Sequence, residues 1–411
     1  MSDKGELAHR LVTELCDLST VDSSPEILKR LEVLLADFII CVVSANSLNK
    51  RGSLLKDDGL IGLATRLASQ SAYEDRDDLD WSAINHPGSV VFAASFATAI
   101  TFSDYRKNFL VSTLAGMRTS ASMAHFFGPG HRKRWHITAT AGTFGAVSAT
   151  AAGIGLDPGP SLRAFHLAGT NMGGIGQVSR ELQGTPRFNR AAAAALGTAA
   201  ALGAYEEIPA IANLWEGDRG LLEVFDLAGT ITHGSLIKDG ISTVLVRSFP
   251  ATGFIHAALL GAANIARDHQ SPLKNLTVTV NSGVFPILND PAKERWWNLQ
   301  LNCAAAWASQ DPMQLAPAPA IEPLVTAQGG DVPLGCALIV AETEKGTFEL
   351  FVEKAPGLEL FDEQEVTWRE QKWTSMVGQS AQSVKELVHQ LVSDTCNEKT
   401  WQRIELLLRG E

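Results

Sequence analysis

Residues 135–158 read WHITATAGTFGAVSATAAGIGLDP, and the reading of this stretch decides the fold. Trp135 and His136 open it, directly behind the basic run His131, Arg132, Lys133 and Arg134. Thr138, Thr140, Gly142 and Gly145 follow in an alanine-rich segment that ends at Gly-Leu-Asp-Pro. Small residues at this density let helix backbones approach closely, and Gly with Pro beyond the last periodic residue fits a helix stop. A histidine at the mouth of such a helix either caps it or faces a cavity. Taken as the second, the stretch is the wall of a buried active site, and the other candidate residues arrange themselves around it.

The bulk properties narrow the class. At 411 residues the chain is long enough for two domains with substantial cores. Apolar residues make up 45% and charged residues 19%, which excludes a disordered chain. A net charge of -11 argues against nucleic acid as the main partner. No apolar run reaches the ~20 residues of a membrane span, residues 38–45 being too short and preceded by Asp37, so no membrane partner is expected. The opening MSDKGELAHR is polar and acidic, unlike a secretory signal or a transit peptide. Cys16, Cys41, Cys303, Cys336 and Cys396 are scattered singly, which fits a reduced cytoplasmic protein with neither a disulfide framework nor a metal site.

Upstream of the central stretch, apolar residues recur at helical spacing over 5–18, 26–45 and 60–72, with a polar loop expected at 46–58. Then YEDRDDLDW crowds Glu74, Asp75, Asp77, Asp78 and Asp80 ahead of His86-Pro87-Gly88. Such a run is a solvated acidic loop or a functional cluster. Pro87 suits a helix start, which sets His86 at the entrance of an apolar helix over 90–102. Another helix spans 108–127 and ends at Gly128-Pro129-Gly130.

Downstream, a helix covers 161–167. GTNMGGIGQ at 169–177 lacks a preceding strand, a GxGxxG pattern and a Walker lysine, so no nucleotide site is expected. Arg187 and Arg190 lie near the beginning of the alanine helix 191–204, where cations do not suit the helix dipole. They are surface accidents or anion clamps. LWEGDRGLLEVF at 214–225 reads as a turn and cap. From Leu236 the texture changes: strands at 242–248 and 276–280, helices at 254–266 and 295–310, and a hairpin over 335–353 turning at Glu344-Lys345-Gly346. Residues 383–408 are helical again. The expected architecture is mainly α with an α+β second domain: a helical domain over 1–235, completed by a C-terminal helix at 378–411, and an α+β domain over 236–377.

With these residues in hand, the chain resembles the MmgE/PrpD family, which includes 2-methylcitrate dehydratases, cis-aconitate decarboxylases and an iminodisuccinate epimerase. DRDDLDW followed by HPG resembles the family's Asp-rich segment and His-Pro motif. WHITATAGTFGAVSATAAGIGLD is similar to its Gly-His-x-Thr helix, and RFNRAAAAALGTAAAL to the segment that normally reads Lys-x-x-His-x-Gly-x-Ala-Ala. LWEGDRGLLEVF resembles its Leu-Glu-Gly-x-x-Gly-Phe corner, and VRSFPATGFIHAALLGA its lid motif. The resemblance runs in order over nearly the whole chain. It implies an all-helical large domain, a smaller α+β lid domain with a site at their interface, a homodimer and no cofactor. His86 and His136 align with the family's two histidines, and Asp75 with its site aspartate across a one-residue insertion before Trp81. His256 falls on the lid histidine, which is either structural or substrate-binding. Departures accompany these matches. Pro186 or Arg187 stands for the family lysine, Asn189 or Arg190 for the histidine after it, Arg247 for the lid lysine, Leu301 for a tyrosine, and Leu79 or Asp80 for a threonine.

The reactions this resemblance implies share one step, moving a proton at a carbon next to a carboxylate. Histidine serves as such a base near neutral pH, and arginine grips carboxylate through paired hydrogen bonds. Arginine in place of lysine keeps anion binding and removes a proton-transfer option. The expectation is therefore a lyase or isomerase acting on a small carboxylate-bearing substrate. His86 and His136 are its acid/base pair, Asp75 or Asp78 orients one of them, and Arg187, Arg190, Arg247 and His256 bind substrate. An epimerase or cyclase of a specialised pathway and a non-catalytic scaffold are the other readings. His125, His131 and His166 show no convincing partner, and Trp296 with Trp297 reads as packing.

Overall fold

The computed structural model of the chain describes residues 3–48, 59–181, 185–227, 236–237, 239–290, 295–393 and 395–410. Most of the loop expected at 46–58, and the stretch 228–235 that closes the expected helical domain, therefore lie outside the described residues. The chain forms two compact units. The first comprises Met1–Ser179, Gly184–Val244 and Met376–Glu411, the second Arg180–Gln183 and Leu245–Ser375. The main division falls after Val244, against residue 235 in the sequence reading, and the chain returns to the first unit at Met376.

In the first unit the order is α1 (Asp3–Leu15), α2 (Pro25–Leu48), α3 (Leu60–Ser71), β1 (Leu79–Asp80), α4 (Pro87–Thr101), α5 (Phe109–Arg132), α6 (Ile137–Gly153) and α7 (Pro158–Gly169). The short α8 (Val178–Glu181), the long α9 (Thr185–Tyr205) and α10 (Leu221–Val224) follow, and α8 and β2 (Val244–Leu245) straddle the division. Helix α2 corrects one expectation. Its best window has a mean hydropathy of 1.9, so it is long and apolar enough to cross a membrane. Two thirds of that window is buried against the unit's own helices, as in a core helix.

Helix α6 is the centre of this unit: every residue from Ile137 to Gly153 is buried, against α4, α5 and α9. Glycine makes that possible. A Cβ on Gly145 would stand 2.9 Å from the Ser120 Cβ of α5, and one on Gly197 of α9 would stand 2.5 Å from the carbonyl oxygen of Thr143. Each helical glycine costs ~0.5–1 kcal/mol relative to alanine; here backbone-to-backbone packing offsets it. The buried hydroxyl of Thr143 is satisfied by the Ala139 carbonyl one turn back, at 2.7 Å.

Helix α5 breaks at Gly128-Pro129-Gly130, as expected: Gly128 takes the left-handed φ of 70° and leaves helical geometry, and Pro129 starts a separate further turn, to Arg132. This swings His131 into an aromatic cluster, 4.7 Å from the ring of Phe127 and 4.6 Å from that of Phe225.

The second unit holds a four-stranded sheet in the order β4-β3-β5-β6, from β3 (Leu273–Asn281), β4 (Val325–Gly330), β5 (Ala337–Thr343) and β6 (Gly346–Val352). β3 and β4 are parallel and the other pairs antiparallel. Leu276, Val278 and Val280 alternate with polar neighbours on β3, as do Ala337, Ile339 and Ala341 with less buried ones on β5. α11 (His256–His269) and α13 (Leu299–Ser309) pack together over these strands, and α12 (Phe285–Leu288) and α14 (Glu363–Val377) complete the order. The strand expected at 242–248 contracts to β2, because the next donor, the Val246 N–H, is taken by the Gly357 carbonyl at 3.1 Å.

The C-terminal segment is two helices, α15 (Ser380–Val392) and α16 (Glu398–Arg409), where the sequence reading had one. Ser393 turns extended, and Asn397 starts α16 by accepting the Thr400 N–H at 3.1 Å. Both pack on α2 in the first unit, and Arg66 donates to the Leu408 carbonyl at the end of α16.

Candidate active site

The acidic run is not a solvated loop. Asp77, Asp78 and Asp80 are 2%, 6% and 0% exposed. Each carboxylate has an assigned partner. Asp78 Oδ2 accepts the Gly88 N–H at 2.8 Å, which caps the first turn of α4. Asp80 Oδ1 accepts from Ser82 N and Oγ, at 3.0 and 2.6 Å, and from Thr243 Oγ1 at 2.8 Å. Asp80 and Asn85 also exchange backbone hydrogen bonds, closing the loop that delivers His86. Asp75 and its neighbour Glu74 adopt left-handed φ values of 57° and 54°, a conformation non-glycine residues rarely take.

Arg190 holds this loop from α9. It is 2% exposed; its Nη1 pairs with Asp77 Oδ2, and its Nη2 lies 3.2 Å from Asp75 Oδ1. The guanidinium thus spans two carboxylates in a buried setting, where removing one partner is costly. Asp75, Asp77 and His86 also present ligand atoms within 4.8 Å of one another, a spacing that suits a cation. The two carboxylates instead hold the guanidinium, so the cluster is an ion-pair network.

His86 and His136 are each the N-cap of their helix, α4 and α6, and neither side chain bonds its own helix. Capping is therefore not what the His136 ring does. The two helix starts are tied together, with the His86 N–H donating to Thr138 Oγ1 at 3.2 Å. His86 Nδ1 faces the Asp78 carbonyl at 2.7 Å and lies 4.0 Å from Asp77 Oδ2. His136 Nδ1 lies 3.4 Å from Asn189 Nδ2 on α9, and its backbone N–H donates to Gly174 O at 2.7 Å. Although His136 keeps some exposed surface, desolvation pushes it down to about 3; the Arg190 charge and His86 act in the same direction, against Asp75. The residue is neutral at physiological pH. The starts of α4, α6 and α9 thus meet around the two imidazoles, and the N-terminal dipoles of these helices favour an anion.

The remaining candidates are placed as follows. Arg187 is exposed in the first turn of α9, its guanidinium carbon 5.5 Å from the Tyr73 ring centre. Arg247 and His256 belong to the second unit. Arg247 is 1% exposed there. His256 is fully enclosed beside Phe249 and donates from Nε2 to the Ala251 carbonyl at 3.0 Å, as a core histidine does. Burial pushes His256 down to about 3.

Two expectations about roles change. Arg190 has its terminal nitrogens committed to Asp77 and Asp75, where the sequence reading gave it to a substrate carboxylate. Asp78 caps α4 with its carboxylate, and its backbone carbonyl faces His86 Nδ1. The histidines set aside do have partners: His125 Nε2 meets Ser82 Oγ at 2.9 Å, His131 Nε2 meets Thr140 Oγ1 at 2.9 Å, and His166 Nδ1 meets Ile211 O at 2.7 Å. Asp77 and Asn189 are site residues that the sequence reading named without giving them a role, Asp77 in the acidic run and Asn189 as one of two residues standing for the family histidine.

Such an arrangement is suited to general acid/base chemistry beside an anion. Residues 64–231 match the MmgE/PrpD N-terminal domain, a match that supports membership of the MmgE/PrpD family. The family is one of dehydratase- and isomerase-like enzymes. No curated protein shows significant similarity to the chain.

Proposed function

We propose that the protein is a cofactor-independent lyase or isomerase that moves a proton at the carbon next to a carboxylate of a small anionic substrate. The observation that carries this reading is the pair of histidine N-caps, His86 and His136, whose helices are joined through Thr138 and whose rings are left out of helix capping. His86 Nδ1 meets a carbonyl oxygen, which only accepts, so this nitrogen carries the proton and Nε2 is the basic one. His86 is the general base and His136 its partner. Arg187, exposed at the start of α9, grips the substrate carboxylate, aided by the helix dipoles. Arg190 positions Asp75 and Asp77 and makes no proton transfer, since arginine stays charged.

The two arginines favour isomerisation as a second reading, because no lysine on α9 is there to protonate a leaving group. Incubating the protein with dicarboxylates and tricarboxylates in deuterated water separates the two. Exchange without net conversion marks an epimerase, and loss of water or carbon dioxide marks a lyase. An absence of exchange with every acid, or a His86→Ala variant with full exchange, would overturn the proposal.

A further inference from the structure

Asn189 stands in the first turns of α9, one residue before the buried Arg190, and its amide nitrogen is 3.4 Å from His136 Nδ1. An amide NH2 donates and does not accept, so the imidazole nitrogen facing it must offer a lone pair. We infer that Asn189 is a positioning residue that fixes His136 as its Nε2–H tautomer, so that the two site histidines rest in opposite tautomers.

Three observations beyond the contact itself support this. His136 Nε2 makes no hydrogen bond to any described residue, and the residue keeps exposed surface, so the proton on that nitrogen is available to a ligand. His86 is held the other way, its Nδ1 2.7 Å from the Asp78 carbonyl, which requires the proton on Nδ1. His136 is also neutral, driven down by burial and by the Arg190 charge, so a single ring proton is present to be placed. The neighbours that face His136 are Arg190 and His86, which oppose its protonation, and Asp75, which favours it.

The consequence is a division of labour. His86 offers a lone pair and removes a proton; His136 offers an N–H and either polarises the substrate carboxylate or delivers a proton to the opposite side of the carbon. A neutral imidazole kept as donor is a known way to stabilise an enolate-like charge. An amide does not titrate near neutral pH, so Asn189 maintains the tautomer where a histidine in its place would switch with pH. The division of labour rests on the proposed acid/base role of the pair, whereas the tautomer does not.

The test reads the tautomer directly. In the full chain with 15N-labelled histidine, long-range 1H–15N correlations show which ring nitrogen carries hydrogen, and a His136→Gln variant assigns the signals. The expected result is a bare Nδ1 and a protonated Nε2 for His136, and the reverse for His86. In Asn189→Asp the carboxylate accepts, so His136 should switch to Nδ1–H and its pKa should rise. Turnover should then fall by roughly 10²-fold with a smaller change in KM. A wild-type His136 with hydrogen on Nδ1, or on both nitrogens at neutral pH, overturns the inference without any variant. Asn189→Asp that folds and leaves the pattern unchanged overturns it too. If the tautomers are as expected and no acid exchanges its proton, the proposed reaction fails and this inference stands.

Discussion

The backbone N–H of His86 donates to the hydroxyl of Thr138 at 3.2 Å, so two helices that each begin with a histidine are joined at their first turns. Thr138 is fully buried, and its hydroxyl has no solvent to replace that donor. The distance between the two imidazoles is therefore set by α4 and α6 together rather than by a mobile loop.

Thr138→Val should leave the His86 N–H without an acceptor, a loss of about 1–3 kcal/mol. Thr138→Ser should recover most of it. Urea denaturation midpoints read the stability, and α-proton exchange with the responsive acid reads the geometry. A valine variant as stable and as active as the parent would show that the link has no role.

Arg190→Met strands two carboxylates, Asp75 and the 2% exposed Asp77, and should destabilise the first unit by about 3–5 kcal/mol. Arg190→Lys keeps the charge and loses the fork that spans both partners, so it should fall between. Arg190 also contributes to the low pKa of His136, second to desolvation, and its removal should raise that pKa in an NMR titration. An unchanged His136 in a folded variant would contradict the electrostatic coupling.

Buried groups should act on stability in opposite directions over one stretch of pH. Glu365 accepts the Gly357 N–H at 2.8 Å, yet burial first, with Asp362 and Glu359, pushes it up from 4.5 to about 7, against that bond and Arg369. In this window the folded state keeps a proton that the unfolded chain has released, so stability drops as pH rises from 4.5 to about 7. His136 and His256 act with the opposite sign. Their ordinary value of 6.5 is pushed down to about 3, so the unfolded chain protonates first and stability drops as pH falls through that range. Glu365→Gln should remove the opposing contribution, so that stability rises more steeply with pH between about 4.5 and 7. Denaturation midpoints measured across about pH 4 to 8 would show this, and an unaltered slope would assign the effect to other groups.

The helical wall was legible because its cause is local. Glycine and alanine at close spacing dictate a helix packed on all sides, and Pro87 or a histidine at a helix start is a signal carried by a few neighbours in sequence. The hairpin at Glu344-Lys345-Gly346 was equally local, its turn falling between β5 and β6. Arg190 was not legible in the same way. Its partners lie more than a hundred positions earlier, and ion pairing over that separation leaves no periodicity to read. β4 was missed for a related reason. VTAQGG has no apolar alternation, and it becomes a strand only because β3 offers a parallel edge from Leu276 to Asn281. The single C-terminal helix failed on capping chemistry, since Asn397 is a start signal in the middle of a helical pattern.

The glycine contacts between α5, α6 and α9 bear on how such a protein diversifies. Where Gly145 and Gly197 bring helices together, there are no side chains to exchange for larger or smaller ones. A side chain added at either position would have to displace a neighbouring helix, so variation around the two imidazoles is left to the side chains at the helix mouths, Arg187 and Asn189 among them.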